Sequence, residues 1–262
     1  MKPLALIAGL VAAALLCAAP SRAQAQDSVP DAGAFVPDAH PPEEDDWRFS
    51  VTPYAWLPGV HGRVGAGGTE TEVDNSFGEV IENVDLALMG VFEARHRRWV
   101  GYFDFMYASL TADQESETET TRAGMDQVIV QPEVGYTLVE RPWGSVDGLV
   151  GARFWNFSLD ISVIEGSEET EAGSGDANWV DGTVGARIRY SSTGHWHLLF
   201  KGDAGAGGSN FTWQVVGGAG YDIGSCCVAR LAYRHLDVDY ESEDILADVN
   251  FTGPALGLEI KF

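Results

Sequence analysis

The stretch His235-Leu236-Asp237-Val238-Asp239 sets an imidazole and two carboxylates at alternate positions. If extended, it carries His235, Asp237 and Asp239 on one face, and an imidazole beside carboxylates could activate water as a general base. No nucleophile is fixed beside it by a motif, so plain polar surface is the first reading and a hydrolytic site the second. A second set is electrostatic. Glu93, Glu133, Asp181, Arg187, Arg189, Lys201, Asp203, Arg230, Arg234, Glu259 and Lys261 fall on the polar parity of their segments, with both signs mixed. If enclosed, opposite charges at that density pair, filling and stiffening a narrow interior; a thin polar path for small solutes is the competing reading. No metal or cofactor is expected. Cys226 and Cys227 are adjacent, where a disulfide would be strained, separated Cys pairs are lacking, and His195 and His197 flank a tight turn, which favours solvated imidazoles.

The elements that must position these groups are two-faced strands. In Val84 to Arg95 the even positions Val84, Leu86, Leu88, Phe92 and Ala94 are apolar, opposite Asp85, Glu93 and Arg95. Ala177 to Tyr190, His195 to Ala204 and Asn210 to Asp222 repeat that separation. Arg98 to Leu110 is apolar on both faces except at Asp104, and Arg122 to Val139 carries Pro132, a donor lost from any ladder. In Ser145 to Ser162 and Cys226 to Tyr240 the apolar parity switches midway, which predicts bulges. Connections alternate between tight turns (Arg95 to Arg98, Glu140 to Gly144, Ser191 to Gly194, Asp222 to Ser225) and longer loops. The loops are Thr111 to Thr121 with Glu115, Glu117 and Glu119, Glu165 to Asp176 with Glu168, Glu169 and Glu171, glycine-rich Gly205 to Asn210, and Glu241 to Asp248. That asymmetry, short turns on one side and acidic loops on the other, predicts a closed antiparallel up-and-down transmembrane β-barrel of about ten strands, eight to twelve being allowed. Aromatic residues near strand ends (Trp47, Trp56, Trp99, Tyr107, Tyr136, Trp155, Tyr190, Trp196, Trp213, Tyr221, Tyr240) read as interfacial girdles. Ser76, three before Glu79, has capping-box spacing, and Phe77, Val80 and Ile81 share a helical face, predicting one short helix over 76–83 that plugs the lumen or covers the rim.

The ends and the charge fit an envelope protein. Met1-Lys2, an apolar run from Leu4 to Ala19, and Ala23-Gln24-Ala25 form a signal peptide over 1–25. Leu16 before Cys17 argues against a lipoprotein. Residues 26–46, with Pro30, Pro37, Pro41, Pro42 and the run Glu43 to Asp46, read as a flexible acidic periplasmic leader, and 47–262 as the barrel. No later stretch has the roughly 20 apolar residues of a spanning helix. The chain has 16 basic and 39 acidic residues, a net charge of −23. This excludes nucleic acid as a natural partner and leaves solvated loops, with divalent cations at their carboxylates as a further option.

The closing stretch Gly257-Leu258-Glu259-Ile260-Lys261-Phe262 resembles the C-terminal assembly signal of outer-membrane barrels, with Leu258, Ile260 and Phe262 as its apolar positions. Tyr54-Ala55-Trp56-Leu57-Pro58-Gly59, and Ser76 to Asn83 followed by Val84 to Trp99, resemble a poorly characterised set of proteobacterial outer-membrane barrel proteins. The resemblance implies fold, outer-membrane location and the barrel-assembly machinery as a partner, and supplies no catalytic residues. The expected molecule is a non-enzymatic barrel with a structural or surface-binding role toward outer-membrane lipids and lipopolysaccharide. A narrow channel is the first alternative and a hydrolase at the extracellular mouth the second.

Overall fold

Alternation of side chains only makes a stable strand when both faces find a suitable medium and every backbone group a partner. The computed structural model describes residues 47–66, 69–115, 120–165, 168–191, 194–242 and 245–262; the expected signal peptide and leader lie outside them. The strands are β1 (Arg48–Trp56), β2 (Gly59–Ala66), β3 (Thr69–Asn75), β4 (Val84–His96), β5 (Trp99–Glu115), β6 (Thr120–Arg141), β7 (Gly144–Glu165), β8 (Glu168–Ser191), β9 (Trp196–Gly207), β10 (Phe211–Ile223), β11 (Cys227–Glu241) and β12 (Ile245–Lys261). One helix, α1 (Phe77–Asn83), precedes β4. Antiparallel pairing runs without crossover from β4 to β12, and β1 closes the ring against both β4 and β12. The result is the expected ten-stranded barrel, with β2 and β3 as an added hairpin.

That hairpin arises from a kink. β1 pairs with one half of β12, from Ser50↔Lys261 to Trp56↔Ala255. The chain breaks at Leu57-Pro58, and β2 takes over the other half of β12, from Gly59↔Thr252 to Ala66↔Ile245. Gly253 permits the close approach: a Cβ there would sit 2.0 Å from the Leu57 carbonyl oxygen. β3 pairs with β2 alone.

β6, β7 and β8 contain 22, 22 and 24 residues, against the roughly 9–11 a strand needs to cross a bilayer. The acidic segments expected as loops are therefore largely strand: Glu115 ends β5, while Glu165, Glu168, Glu169 and Glu171 belong to the β7–β8 ladder. Glu117 and Glu119 lie outside the described residues. A hairpin whose backbone bonds are already paired keeps zipping into water whether its side chains are greasy or acidic, so composition alone did not mark these strand ends. The tight turns hold as expected at Arg97-Arg98, Pro142-Trp143 and Gly224 to Cys226.

Leu88, Leu138, Val150, Val184, Leu198, Leu231 and Leu256 point outward and are more than half exposed, a belt that only hydrocarbon can cover. At the tight-turn end it is bordered by exposed Trp99, Trp143 and Trp196, each in contact with a tyrosine of a neighbouring strand: Tyr136, Tyr190 and Tyr221. The girdle reading needs correction elsewhere. Trp56 and Trp155 are buried inside the barrel, and Tyr240 packs on the same interior cluster.

The predicted bulges are corrected too. Register runs unbroken along β11 against both neighbours, and along β7 it shifts near the two ends of the segment, where Asp147 and Val146 face Thr137 and Val139 of β6 and at Ile161/Ser162 against β8, and not at the midway parity switch. Midway along β7 and β11 the faces do not exchange; what changes is what each face touches. In β11, Leu231 and Tyr233 face outward and are exposed while Arg234 is buried, and further on Leu236 and Val238 are buried while His235, Asp237 and Asp239 share the outward face. Above the bilayer the outer surface meets water and the interior turns apolar, so hydropathy inverts with the backbone alternation intact.

Candidate functional site

The inward side chains form three layers, built because even residues of β1, β5, β10 and β11 and odd residues of β4 and β6 to β9 share the lumen side. Nearest the tight turns, Arg95 donates to Asp147 and to Glu93, each at 2.5 Å. Arg187 donates to Glu93 at 2.7 Å and to Asp147 at 3.1 Å, and Arg189 bonds the Ser145 hydroxyl at 3.1 Å while its Nη1 reaches Glu93 at 3.4 Å. Thr137 donates to Asp147 at 2.8 Å. Arg230 and Glu259 pair beside this layer, and Lys261 reaches Asp222 at 3.5 Å near the rim.

The middle layer is centred on Arg153, fully buried on β7. Its guanidinium donates to Asp203, to Gln131 at 3.0 and 3.1 Å, and to Thr212 at 2.7 Å. Lys201 is ion-paired with Glu133 at 2.8 Å and Asp203 at 2.9 Å. Gln214 donates to Asp203 at 2.6 Å and to Gln131 at 2.7 Å. Arg234 bonds Asp104 at 3.0 Å, and the Tyr54 hydroxyl donates to the same carboxylate at 2.7 Å. Tyr102 lies between Arg187 and Lys201, 5.1 and 5.0 Å from its ring centre, which joins this layer to the one below. Over the two layers Arg95, Arg153, Arg187, Arg189, Lys201 and Arg234 oppose Glu93, Asp104, Glu133, Asp147, Asp203 and, at the outer edge, Asp181. Formal charge cancels, as it must where isolated ions are costly.

The third layer, toward the extracellular end, is apolar: Trp56, Met106, Ile129, Trp155, Leu236, Val238, Val249 and Phe251 are buried together. Trp155, Trp179 and Tyr240 stack in series with ring centres 5.3 and 4.1 Å apart, and Arg234 sits over the Trp56 ring at 4.8 Å, sealing the charged layer against the apolar one. Asp181 accepts from the Trp179 indole at 3.1 Å and from the Ser209 amide at 2.8 Å, folding the β9–β10 turn over the rim.

The inward set named from parity thus lies on the lumen side, with Arg189, Arg230 and Glu259 partly buried and Lys261 exposed at the rim. Sequence reading missed Arg153, Gln131, Gln214, Asp147 and Asp104 as partners of that set. Arg153 and Asp147 stand in the segment whose parity switches, and glutamines carry no charge signal. His235, Asp237 and Asp239 do share a face, but it is the outer one. His235 is 2.5 Å from the Thr252 hydroxyl and packs on Trp213 with ring centres 4.6 Å apart, and Asn210 donates to Asp239 at 3.3 Å. Neighbouring β2 adds His61 on Asp74 at 2.6 Å and Arg63 on Asp248 at 2.9 Å. Among the described residues no cluster of three metal-ligating side chains is formed. The Cys226 and Cys227 sulfurs lie 3.1 Å apart and are not joined as a disulfide. Leu258 and Ile260 follow the outward parity of Leu256 on β12, Ile260 being covered, and exposed Phe262 comes directly after the strand.

No protein-family profile and no curated protein matches this chain. Solved structures do. The outer membrane protease OmpT from Escherichia coli aligns with 83% of this chain and 97% of its own length, at 11% identity and a TM-score of 0.53. Ail, the attachment invasion locus protein of Yersinia pestis, aligns at 14% identity over 82% and 98% of the two chains with a TM-score of 0.35. The transport unit of the autotransporter AIDA-I from Escherichia coli aligns at 12% identity over 87% and 94%, with a TM-score of 0.38. At such identity the OmpT likeness extends to the fold and to no residue role. The fold is that of an outer-membrane β-barrel, and the apolar belt with its aromatic border sets it in the bacterial outer membrane.

Proposed function

We propose that this protein is a non-enzymatic, non-conducting barrel whose work is done at its extracellular surface, toward lipopolysaccharide and other surface partners. The observation that carries this reading is the filled interior. A path for ions along the axis would have to part the Arg153–Asp203–Gln131–Gln214 cluster and then the Trp155–Trp179–Tyr240 stack, and each separated charge would be left without a partner in a poorly solvated space. The outer extracellular face supplies the complementary half of the argument. It is polar and rich in carboxylates (Asp74, Asp237, Asp239, Asp248), so contact with lipopolysaccharide phosphates calls for bridging divalent cations there or at the acidic hairpin ends.

Planar-bilayer recording tests the proposal. The folded full chain is expected to give no steady current, and steady ohmic steps from the unmodified protein would overturn it. The hydrolytic alternative would rest on an imidazole that faces outward and is engaged by Thr252 and Trp213. His235→Ala is expected to leave any residual peptide or lipid cleavage by the purified barrel unchanged.

A further inference from the structure

The chain holds three cysteines, and two of them, Cys226 and Cys227, are adjacent; Cys17 belongs to the expected signal peptide. The pair lies where the β10–β11 turn runs into β11, at the tight-turn end, which in such barrels faces the periplasm. Gly224 turns the chain there with φ +72°, and Ile223, Gly224 and Ser225 are exposed beside the pair. Cys226 itself is half-buried and Cys227 buried. Their backbone is fixed from two sides. The Lys261 amide donates to the Cys226 carbonyl at 2.8 Å, and Cys227 is held in register between Ile223 and Ile260. A stiff frame thus presents two sulfurs 3.1 Å apart, so little ordering remains to be done when a ligand takes both.

Cysteine sulfur prefers soft acceptors, and the separation of the two sulfurs decides which acceptor fits. A centre bonded to both at roughly 2.3 Å, the length of a zinc–thiolate bond, would hold them about 85° apart. Zinc asks for a wider tetrahedral angle and four ligands, whereas among the described residues the pair belongs to no group of three metal-ligating side chains. A two-coordinate ion of the copper(I) type places its sulfurs on opposite sides, roughly 4.6 Å apart at the same bond length, and this pair is too close for that. A trivalent pyramidal centre meets both demands, because its bonds lie near right angles and two sulfurs with one small third substituent complete its shell.

We infer that Cys226 and Cys227 form a binding site for trivalent arsenic, as arsenite or an organic arsenous acid, at the periplasmic end of the barrel. Binding is a condensation and not an oxidation. Arsenous acid exchanges two of its three hydroxyl groups for the two sulfurs, each thiol gives its proton to a departing hydroxyl, and two waters leave with no electrons transferred. The inference stands apart from the proposed function, which concerns the opposite end of the molecule.

The test uses the full chain carrying Cys17→Ala, folded in micelles, reduced and freed of reductant, with phenylarsine oxide as the probe. Intact mass is expected to show one phenylarsenic group per chain, with both thiols lost to maleimide labelling. A free dithiol such as dithiothreitol should release the probe, and a monothiol should do so only at high concentration. Cys226→Ser and Cys227→Ser each keep one sulfur and are expected to lose the probe at a monothiol concentration roughly 100-fold lower, because the second arm of a chelate rebinds from a high local concentration. Release from the two-cysteine chain by a monothiol as readily as from either variant would overturn the inference, and so would the absence of any adduct on the reduced chain; neither readout depends on the variants folding better or worse than their parent. Zinc retained through desalting by the two-cysteine chain, and lost from both variants, would overturn the choice of acceptor.

Discussion

Arg153 shows how much one side chain can organise. It is fully buried, and its hydrogen bonds run inward to Asp203, Gln131 and Thr212. Replacing it by methionine keeps much of the volume but leaves Asp203 and Glu133 sharing Lys201 as their nearby cation. Breaking one side of a buried pair costs about 3–5 kcal/mol, most of it from the stranded partner. Arg153→Met is therefore expected to lower stability by about that amount in denaturant unfolding from micelles, and adding Asp203→Asn should recover part of the loss by removing the stranded charge. Additive losses in the double variant would show that the two side chains are not coupled. The same residues explain what charge patterning misses, because the glutamines that satisfy the guanidinium look like ordinary surface polar residues in the sequence.

Single strands carry the inversion of hydropathy. On β11, Leu231 lies outward in the belt and Leu236 lies inward in the apolar layer, with relative exposures of 58% and 0%. Leu236→Ala should cost about 2–5 kcal/mol as a core truncation with a cavity, while Leu231→Ala, whose surroundings are fluid lipid, should cost far less. Equal losses in equilibrium unfolding would contradict the assigned faces. The β2–β3 hairpin depends on Gly62, whose φ is +142° and whose added Cβ would lie 2.1 Å from the Asp248 carbonyl oxygen. Gly62→Ala is expected to detach the hairpin from β12, seen as rapid protease cleavage within 59–75 in a barrel that otherwise stays resistant. For α1, the Ser76 hydroxyl and amide donate to Glu79 at 2.8 and 2.7 Å and hold its carboxyl below the usual carboxylate range. A depressed pKa means that the cap contributes above the ordinary carboxylate value and loses its contribution as pH falls through the lowered one. A nitroxide attached at Phe77→Cys, in a background lacking Cys226 and Cys227, should gain mobility on acidification. With Glu79→Gln it should be mobile at every pH.

At the scale of the whole molecule, the opposition of a greasy exterior to a charged interior makes the bilayer part of the folded state. Removal of all detergent should precipitate the folded barrel through its exposed belt. A dispersed native monomer, seen by sedimentation in detergent-free buffer, would refute the membrane assignment. Much of this was legible beforehand, because clean two-residue alternation in Val84 to Arg95 or Ala177 to Tyr190 has a unique geometric meaning in an extended chain. From the chain alone came the barrel, its ten-strand ring and the tight turns at Arg97-Arg98, Pro142-Trp143 and Gly224 to Cys226. Tertiary structure alone decided that the acidic hairpins continue as strand, that Trp56 and Trp155 are core and not girdle, that His235, Asp237 and Asp239 face out, and that a kink at Leu57-Pro58 hands half of β12 to an added hairpin. The physical reason is that alternation tells which residues share a face but not what medium that face meets, and in this barrel the medium on each side changes from lipid to water and from charged to apolar along a single unbroken strand.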